Sequence, residues 1–272
     1  MGLIEDTTIY VRVTNRCNSK CGFCYRDSLL GKDLTIEKIK RIIDKVVEFG
    51  FKRIGFLGGE IFLRKDLREI MDYAHKRKLL IIVASNGSLV KDKEIKLLNK
   101  YVAWFGIPLD GSTKDKSLLM RNSFDQFNIT LKLLKKFKRK KPKFKVRIST
   151  LITKINKDDL INIGKVLFES NKLYKPDGWR LLRFLRLNKG RKNKNKYYLN
   201  NKEFIKKYEE TRSYFDKKYN ISYPNSNYLI IDSKENILIS KEEKYVKIRN
   251  INQIKKNELV RIIGISILKK NV

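Results

Sequence analysis

The chain has 272 residues, 42% hydrophobic and 11% aromatic, enough to bury one sizeable core and too apolar for a disordered tail. No run of about 18 apolar residues occurs, so no membrane-spanning helix is expected. With 63 Lys and Arg against 29 Asp and Glu, the formal charge is +34. That balance favours a polyanionic partner, nucleic acid above all, and fits equally well a lysine-rich codon bias that loads every solvated face.

The N-terminal run MGLIEDTTIYVRV carries acids and enters a strand pattern without the basic start and apolar stretch of a signal peptide. A cytoplasmic location is expected. Short β-branched or aromatic runs bounded by polar residues or glycine predict strands at Thr8–Val13, Arg53–Leu57, Leu80–Ala84, Ala103–Leu109, Phe144–Leu151 and Trp179–Leu185. Helical periodicity falls between them, at Ile36–Phe49, Lys65–Lys76, Lys91–Asn99, Phe124–Lys138 and Asp158–Ser170. The first of these helices has Thr35 as N-cap and Ile39, Ile42, Ile43, Val46 and Val47 on one apolar face. Gly50 follows where a left-handed C-cap is favoured.

This alternation predicts an α/β fold, a partial (β/α)6 parallel barrel of the TIM-like type over residues 1–187. Residues 188–272 read as an extension packed on the barrel mouth rather than a separate domain. It holds a basic loop, a helix at Asn201–Lys217, a hairpin-like pair at Tyr228–Asp232 and Ile237–Ser240, and a Lys/Ile-rich tail. Two basic runs, Lys135–Arg147 and Lys189–Lys196, are denser than the rest and are expected beside the mouth. In such barrels the working residues lie at the C-terminal ends of the strands.

Cys17, Cys21 and Cys24 are the three cysteines, all within eight residues. An odd, clustered set is no disulfide framework and points to a metal site in a reducing compartment. Three thiolates in C-x3-C-x2-C spacing bind three irons of a cubane and leave the fourth iron open. Structural zinc would want a fourth ligand, and the single histidine, His75, lies in a predicted helix remote from this loop. An electron carrier would want its fourth iron ligated.

Placed after the first strand, TNRCNSKCGFCYRD resembles the signature of the radical S-adenosylmethionine (SAM) superfamily. The resemblance implies one [4Fe–4S] cluster on Cys17, Cys21 and Cys24, with S-adenosyl-L-methionine chelating the open iron through its amino and carboxylate groups. It implies reductive cleavage of SAM to methionine and a 5′-deoxyadenosyl radical, which takes hydrogen from a substrate. An electron donor such as flavodoxin or ferredoxin is implied with it. Phe23 and Tyr25, flanking Cys24, match the aromatic that family members place near the adenine.

Further matches follow the later strands. Gly58–Gly59–Glu60 resembles the GGE motif at the SAM amino group, and Ser85–Asn86–Gly87 the turn near the ribose. In Pro108–Leu109–Asp110–Gly111 a proline replaces the usual serine, leaving Asp110 as a contact for a ribose hydroxyl or the substrate. Alternation puts Arg147 and Ser149 on one face, with Lys154 beyond them. If that face is interior, the SAM carboxylate is a fitting partner for Arg147; an outward ion pair is the alternative. The run WRLLRFLRL is similar to the family's sixth strand, with Trp179 and Phe184 readable as core. Asn227 and Tyr228 sit in a context similar to viperin-like nucleotide dehydratases, with Tyr228 either lining the site or packing in the core.

No cysteine follows Cys24. That disfavours maturases and pterin-precursor cyclases with further clusters, and excludes methylases that use a distal cysteine. The leading substrate class is a nucleotide or RNA, motivated by charge. The alternatives are the same chemistry on a small metabolite or peptide, and, in another class, a non-catalytic iron–sulfur protein.

Overall fold

The computed structural model describes residues 2–25, 33–122, 124–215, 218–223, 229–240 and 245–268. The turn α1 (Gly2–Glu5) leads into β1 (Thr8–Thr14), then α2 (Ile36–Glu48), β2 (Arg53–Gly58), a 3-10 turn at Ile61–Leu63 and α3 (Leu67–Lys76). Next come β3 (Leu80–Ala84), α4 (Asp92–Tyr101), β4 (Val102–Pro108), α5 (Lys114–Arg121), α6 (Gln126–Lys140), β5 (Lys145–Ile152), α7 (Leu160–Phe168) and β6 (Gly178–Arg183). The remainder holds the short α8 (Lys189–Lys192) and α9 (Lys194–Tyr197), α10 (Asn201–Tyr214), β7 (Ile221–Ser222), β8 (Leu229–Ile231), β9 (Asn236–Ser240), β10 (Tyr245–Asn250) and α11 (Lys256–Leu268).

β1 to β6 pair in parallel in chain order, as the predicted βα repeat requires. The later strands enlarge this sheet at both edges. β7 adds in parallel to β6 and β8 in parallel to β1, with β9 and β10 continuing antiparallel beyond β8. No helix among the described residues is long and apolar enough to cross a membrane.

Local chemistry accounts for the element ends. The Thr35 hydroxyl accepts the Lys38 amide at 3.4 Å and opens α2, and Gly50 takes φ +90° beyond its end. Ile39, Ile42, Ile43 and Val46 of α2 are fully buried, whereas Val47, expected on the same face, is exposed. Two helices lie where one was expected, because α5 ends at Arg121 before Asp125 caps α6 through the Asn128 amide.

Strand parity divides the sheet into two unlike faces. Val11 and Val13, Ile54 and Phe56, Ile81 and Val83, Phe105 and Ile107, Val146 and Ile148, Trp179 and Leu181 are buried to within 1% and pack in the main core. The opposite face carries the small residues Gly55, Ala84, Gly106 and Ser149, with the Tyr10 ring lying over Gly55. Half-buried Trp104, Arg147 and Arg180 share it. Trp179 and Phe184 are core, as read.

Candidate active site

The cysteine loop leaves the end of β1 and is fastened on every side. The amides of Gly59 and Glu60 donate to the carbonyls of Thr14 and Arg16, each at 2.8 Å, so the GGE turn and the loop share backbone hydrogen bonds. Gly58 must be glycine here, since a Cβ would stand 2.3 Å from the Thr14 carbonyl oxygen. Asp33 accepts from the Thr14 hydroxyl at 2.8 Å, the Asn15 amide at 2.9 Å and Arg16 Nε at 2.9 Å. Burial works to raise its pKa, yet these donors hold the carboxyl below its usual value.

Glu60 is fully buried. Its carboxylate accepts from the Ser85 hydroxyl and the Asn86 amide at 2.8 Å each, and from the Phe62 amide at 3.2 Å. Burial pushes its pKa up, with these three donors opposing. Asn86 reaches on to Asn18 Oδ1 at 2.8 Å, inside the cysteine loop, and Asn18 donates to Ser88 at 2.9 Å. Three motifs read separately in the sequence thus form one hydrogen-bonded unit at the strands' C-terminal ends. Most of the acceptor capacity of Glu60 is spent holding that unit together.

Asp110 is placed differently from the sequence reading. It is 1% exposed, accepts the Leu151 amide at 2.8 Å and forms a two-point ion pair with Arg121, Nε at 2.7 Å and Nη2 at 2.6 Å. A carboxylate so committed holds the protein together and does not present itself to a ribose hydroxyl. Arg121 was not marked in the sequence, because an arginine in a basic chain carries no signal. Its Nη1 lies 3.5 Å from Cys21 Sγ, and its guanidinium sits 5.1 Å from the Phe23 ring centre.

Cys21 is buried, and Cys17 and Cys24 are partly so. Ser19 meets two of the sulfurs, its amide donating to Cys17 at 3.4 Å and its hydroxyl lying 3.0 Å from Cys21. The segment after β6 clamps the loop from above. Asn188 donates to the Tyr25 carbonyl at 2.7 Å and Asn193 to the Gly22 carbonyl at 2.9 Å, while the Tyr197 ring meets Phe23 edge-on. Gly22 leaves room for that ring, since a Cβ would lie 2.8 Å from the Tyr197 hydroxyl. Tyr25 is exposed beside the loop, and Asn227 and Tyr228 lie outside the described residues.

A family model for the Radical SAM superfamily matches residues 11–167, from β1 to α7, the segment that holds the cysteine loop, Glu60, Ser85, Asn86, Asp110 and Arg121 but not the clamp at Asn188–Tyr197. The chain belongs to the radical SAM superfamily. It is 38% identical over 120 residues to Fe-coproporphyrin III synthase of Methanosarcina barkeri, a match over 42% of this chain and 30% of that protein. It is 28% identical over 173 residues to an S-adenosylmethionine-dependent nucleotide dehydratase of Selenomonas ruminantium, over 58% and 61% of the two chains. In fold it is similar to Streptococcus suis SuiB bound to S-adenosylmethionine, with TM-score 0.72 and 16% identity over 92% of this chain and 64% of that one. The chain therefore spans less than two thirds of each of these three proteins.

Radical SAM proteins use a [4Fe–4S] cluster and SAM, and the loop fits both. Cys17, Cys21 and Cys24 would each hold one iron, with donors already aimed at the sulfurs of Cys17 and Cys21. Among the described residues no three Cys, His, Asp or Glu side chains converge on one ion. A cubane does not ask for that, since its irons take one thiolate each.

Behind the loop, this opposite face of the sheet carries arginines. Arg12, two residues from the end of β1, is 2% exposed, and its Nη1 has no hydrogen-bond partner among the described residues. Its Nη2 donates to the Tyr245 hydroxyl of β10 at 3.3 Å. Arg147 lies across the Trp104 ring at 4.9 Å, on the same strand face as Ser149, as alternation predicts, and opposite the helix-packed core. Ser149 lies beside Arg180 in register, and Arg180 makes no hydrogen bond or ion pair among the described residues. The basic run Lys189–Lys196 does lie at this mouth. The run Lys135–Arg147 does not, for it closes α6 and starts β5 at the strands' opposite ends.

Proposed function

We propose that this chain cleaves SAM reductively and directs the radical onto a nucleotide held by its phosphates inside the barrel. The cluster, when bound, supplies one electron to SAM and so generates methionine and the 5′-deoxyadenosyl radical. The chain's own residues do the rest. The hydrogen-bonded unit of Glu60, Ser85, Asn86 and Asn18 fixes the loop relative to β2 and β3. The clamp of Asn188, Asn193 and Tyr197 packs over the loop at Phe23 and helps bury Cys21.

The observation that carries the nucleotide reading is the inward row of Arg12, Arg147 and Arg180. Arg12 is buried with one guanidinium nitrogen unpartnered among the described residues, Arg147 and Arg180 are half-buried on the same face, and phosphate suits their planar donors. Nucleotide is also the substrate class in the name of the Selenomonas relative. RNA is less well supported, because one of the two basic runs that suggested it lies at the far end. The exposed Arg191, Lys192, Lys194 and Lys196 beside the cysteine loop would suit an acidic electron donor such as flavodoxin or ferredoxin, in a cytoplasmic setting.

The test is 5′-deoxyadenosine release by the reconstituted protein with SAM and dithionite, against nucleoside triphosphates, nucleosides, bulk RNA and peptides. Stimulation by a triphosphate and not by its nucleoside supports the reading. Stimulation only by RNA or by a peptide overturns it.

A further inference from the structure

Arg121 is one of the few buried cations of the chain, and its position asks for a reason beyond packing. It ends α5, a helix absent from the sequence expectations, and is 9% exposed. Asp110 grips Nε and Nη2 at 2.7 and 2.6 Å, leaving Nη1 to point at Cys21 Sγ, 3.5 Å away. The next residue, Asn122, adopts φ +56° and donates to the Lys20 carbonyl at 3.2 Å, tying the helix end to the residue before that cysteine. Asp110 is fixed in turn by the Leu151 amide at 2.8 Å, and its backbone carbonyl accepts from Asn156 at 3.0 Å. Every contact aims one N–H of a permanent cation at one sulfur.

We infer that Arg121 sets the reduction potential of the iron–sulfur cluster through its hydrogen bond to Cys21, with Asp110 as the group that aims it. The inference rests on the reading of Cys17, Cys21 and Cys24 as cluster ligands. Reduction adds one electron from an external one-electron donor, makes and breaks no bond, and leaves the cluster one unit more negative. A fixed cation and a donor on a ligating sulfur favour that reduced form, and both are established levers on iron–sulfur potentials. The two residues carry opposite charges, so they act on the potential in opposite directions. Removing Arg121 leaves the negative charge of Asp110 and lowers the potential. Removing the charge of Asp110 leaves the cation and raises it.

The experiment is an EPR-monitored redox titration of the reconstituted full chain, without SAM, so that effects on SAM binding do not enter. Iron and sulfide are first counted in every variant. Arg121→Gln is expected to cut the reduced-to-oxidised ratio at a fixed potential about tenfold, which is about 59 mV for one electron. Arg121→Lys, which keeps the charge and loses the fork, should fall between wild type and Arg121→Gln. Asp110→Asn should move the potential the other way. A loaded Arg121→Gln protein with the wild-type potential overturns the inference alone, whatever happens to its affinity for SAM. Should Arg121→Gln take up no cluster, an Asp110→Asn potential unchanged or lowered overturns it, and a raised one supports it. Wild type that loads no cluster would sink the ligand reading and this inference together.

Discussion

The two ends of the barrel treat charge in opposite ways. At the strands' C-terminal ends Asp110 pairs with Arg121, which reaches Cys21, Asp33 accepts the Asn15 amide at the start of the cysteine loop, and Glu60 accepts the Asn86 amide. At the opposite end Lys135, Lys138, Arg139, Lys141 and Lys143 stand exposed, and the ion pairs nearby, Lys136 and Lys140 with Asp92, cross the barrel surface. A net charge of +34 counts both ends alike. Only burial distinguishes a charge that positions chemistry from one that keeps a surface wet.

The sharpest break of this comparison is Cys24→Ala, expected to abolish deoxyadenosine formation and lower the iron count from about four per chain while circular dichroism remains that of a folded barrel. Persistent cleavage would place the cluster on other ligands. Second in size is Asp110→Ala, which strands the Arg121 cation. A loss of about 3–5 kcal/mol is expected in denaturant unfolding, with an unchanged slope. A loss below about 1 kcal/mol would mean the pair is solvated.

Arg180→Ala should leave slow, substrate-free SAM cleavage intact and raise KM for the stimulating nucleotide about tenfold or more, the worth of a hydrogen bond between charged groups. An effect on kcat alone would remove Arg180 from binding. Glu60 gives a pH signature. Burial raises its pKa, so the folded state holds that proton more tightly than the unfolded chain. Its contribution is fully present below the unfolded value, near 4.5, and declines as pH rises through the higher folded value. The stability of wild type minus Glu60→Gln should therefore fall as pH rises above about 4.5, and a flat difference would mean the carboxyl titrates normally. The smallest effect belongs to the far end. Replacing Lys135, Lys141 and Lys143 with Ala should each change stability by less than about 0.5 kcal/mol and leave SAM cleavage unaltered.

What the sequence disclosed follows the same division. The six parallel strands were legible because each is a short apolar run between polar stops, and the cysteine triplet was legible because no other cysteine competes with it. Glu60, Ser85 and Asp110 were visible as motif residues, but not the pairing of Glu60 with Ser85, and Arg121 was not visible at all. Ser85 and Arg121 lie 25 and 11 residues away, at separations no periodicity marks. Arg12 within TIYVRVT carries no signal in the sequence, and its burial shows only in the fold, where β10 brings Tyr245 against it. β10 escaped notice because its alternation is muted at a half-exposed edge. α11 was hidden by composition, its buried Leu259 and Ile263 lost among the lysines and isoleucines of the tail.

The bracket formed by Glu60, Asn86, Asn18 and the Thr14 and Arg16 carbonyls is made wholly of protein atoms. Such a bracket is expected to form without the cluster, which would make synthesis and iron loading separable events. The amides of Gly59, Glu60 and Asn86 should then exchange with deuterium as slowly in iron-free protein as in the loaded form, and faster exchange without iron would mean that the metal is needed to fix the loop.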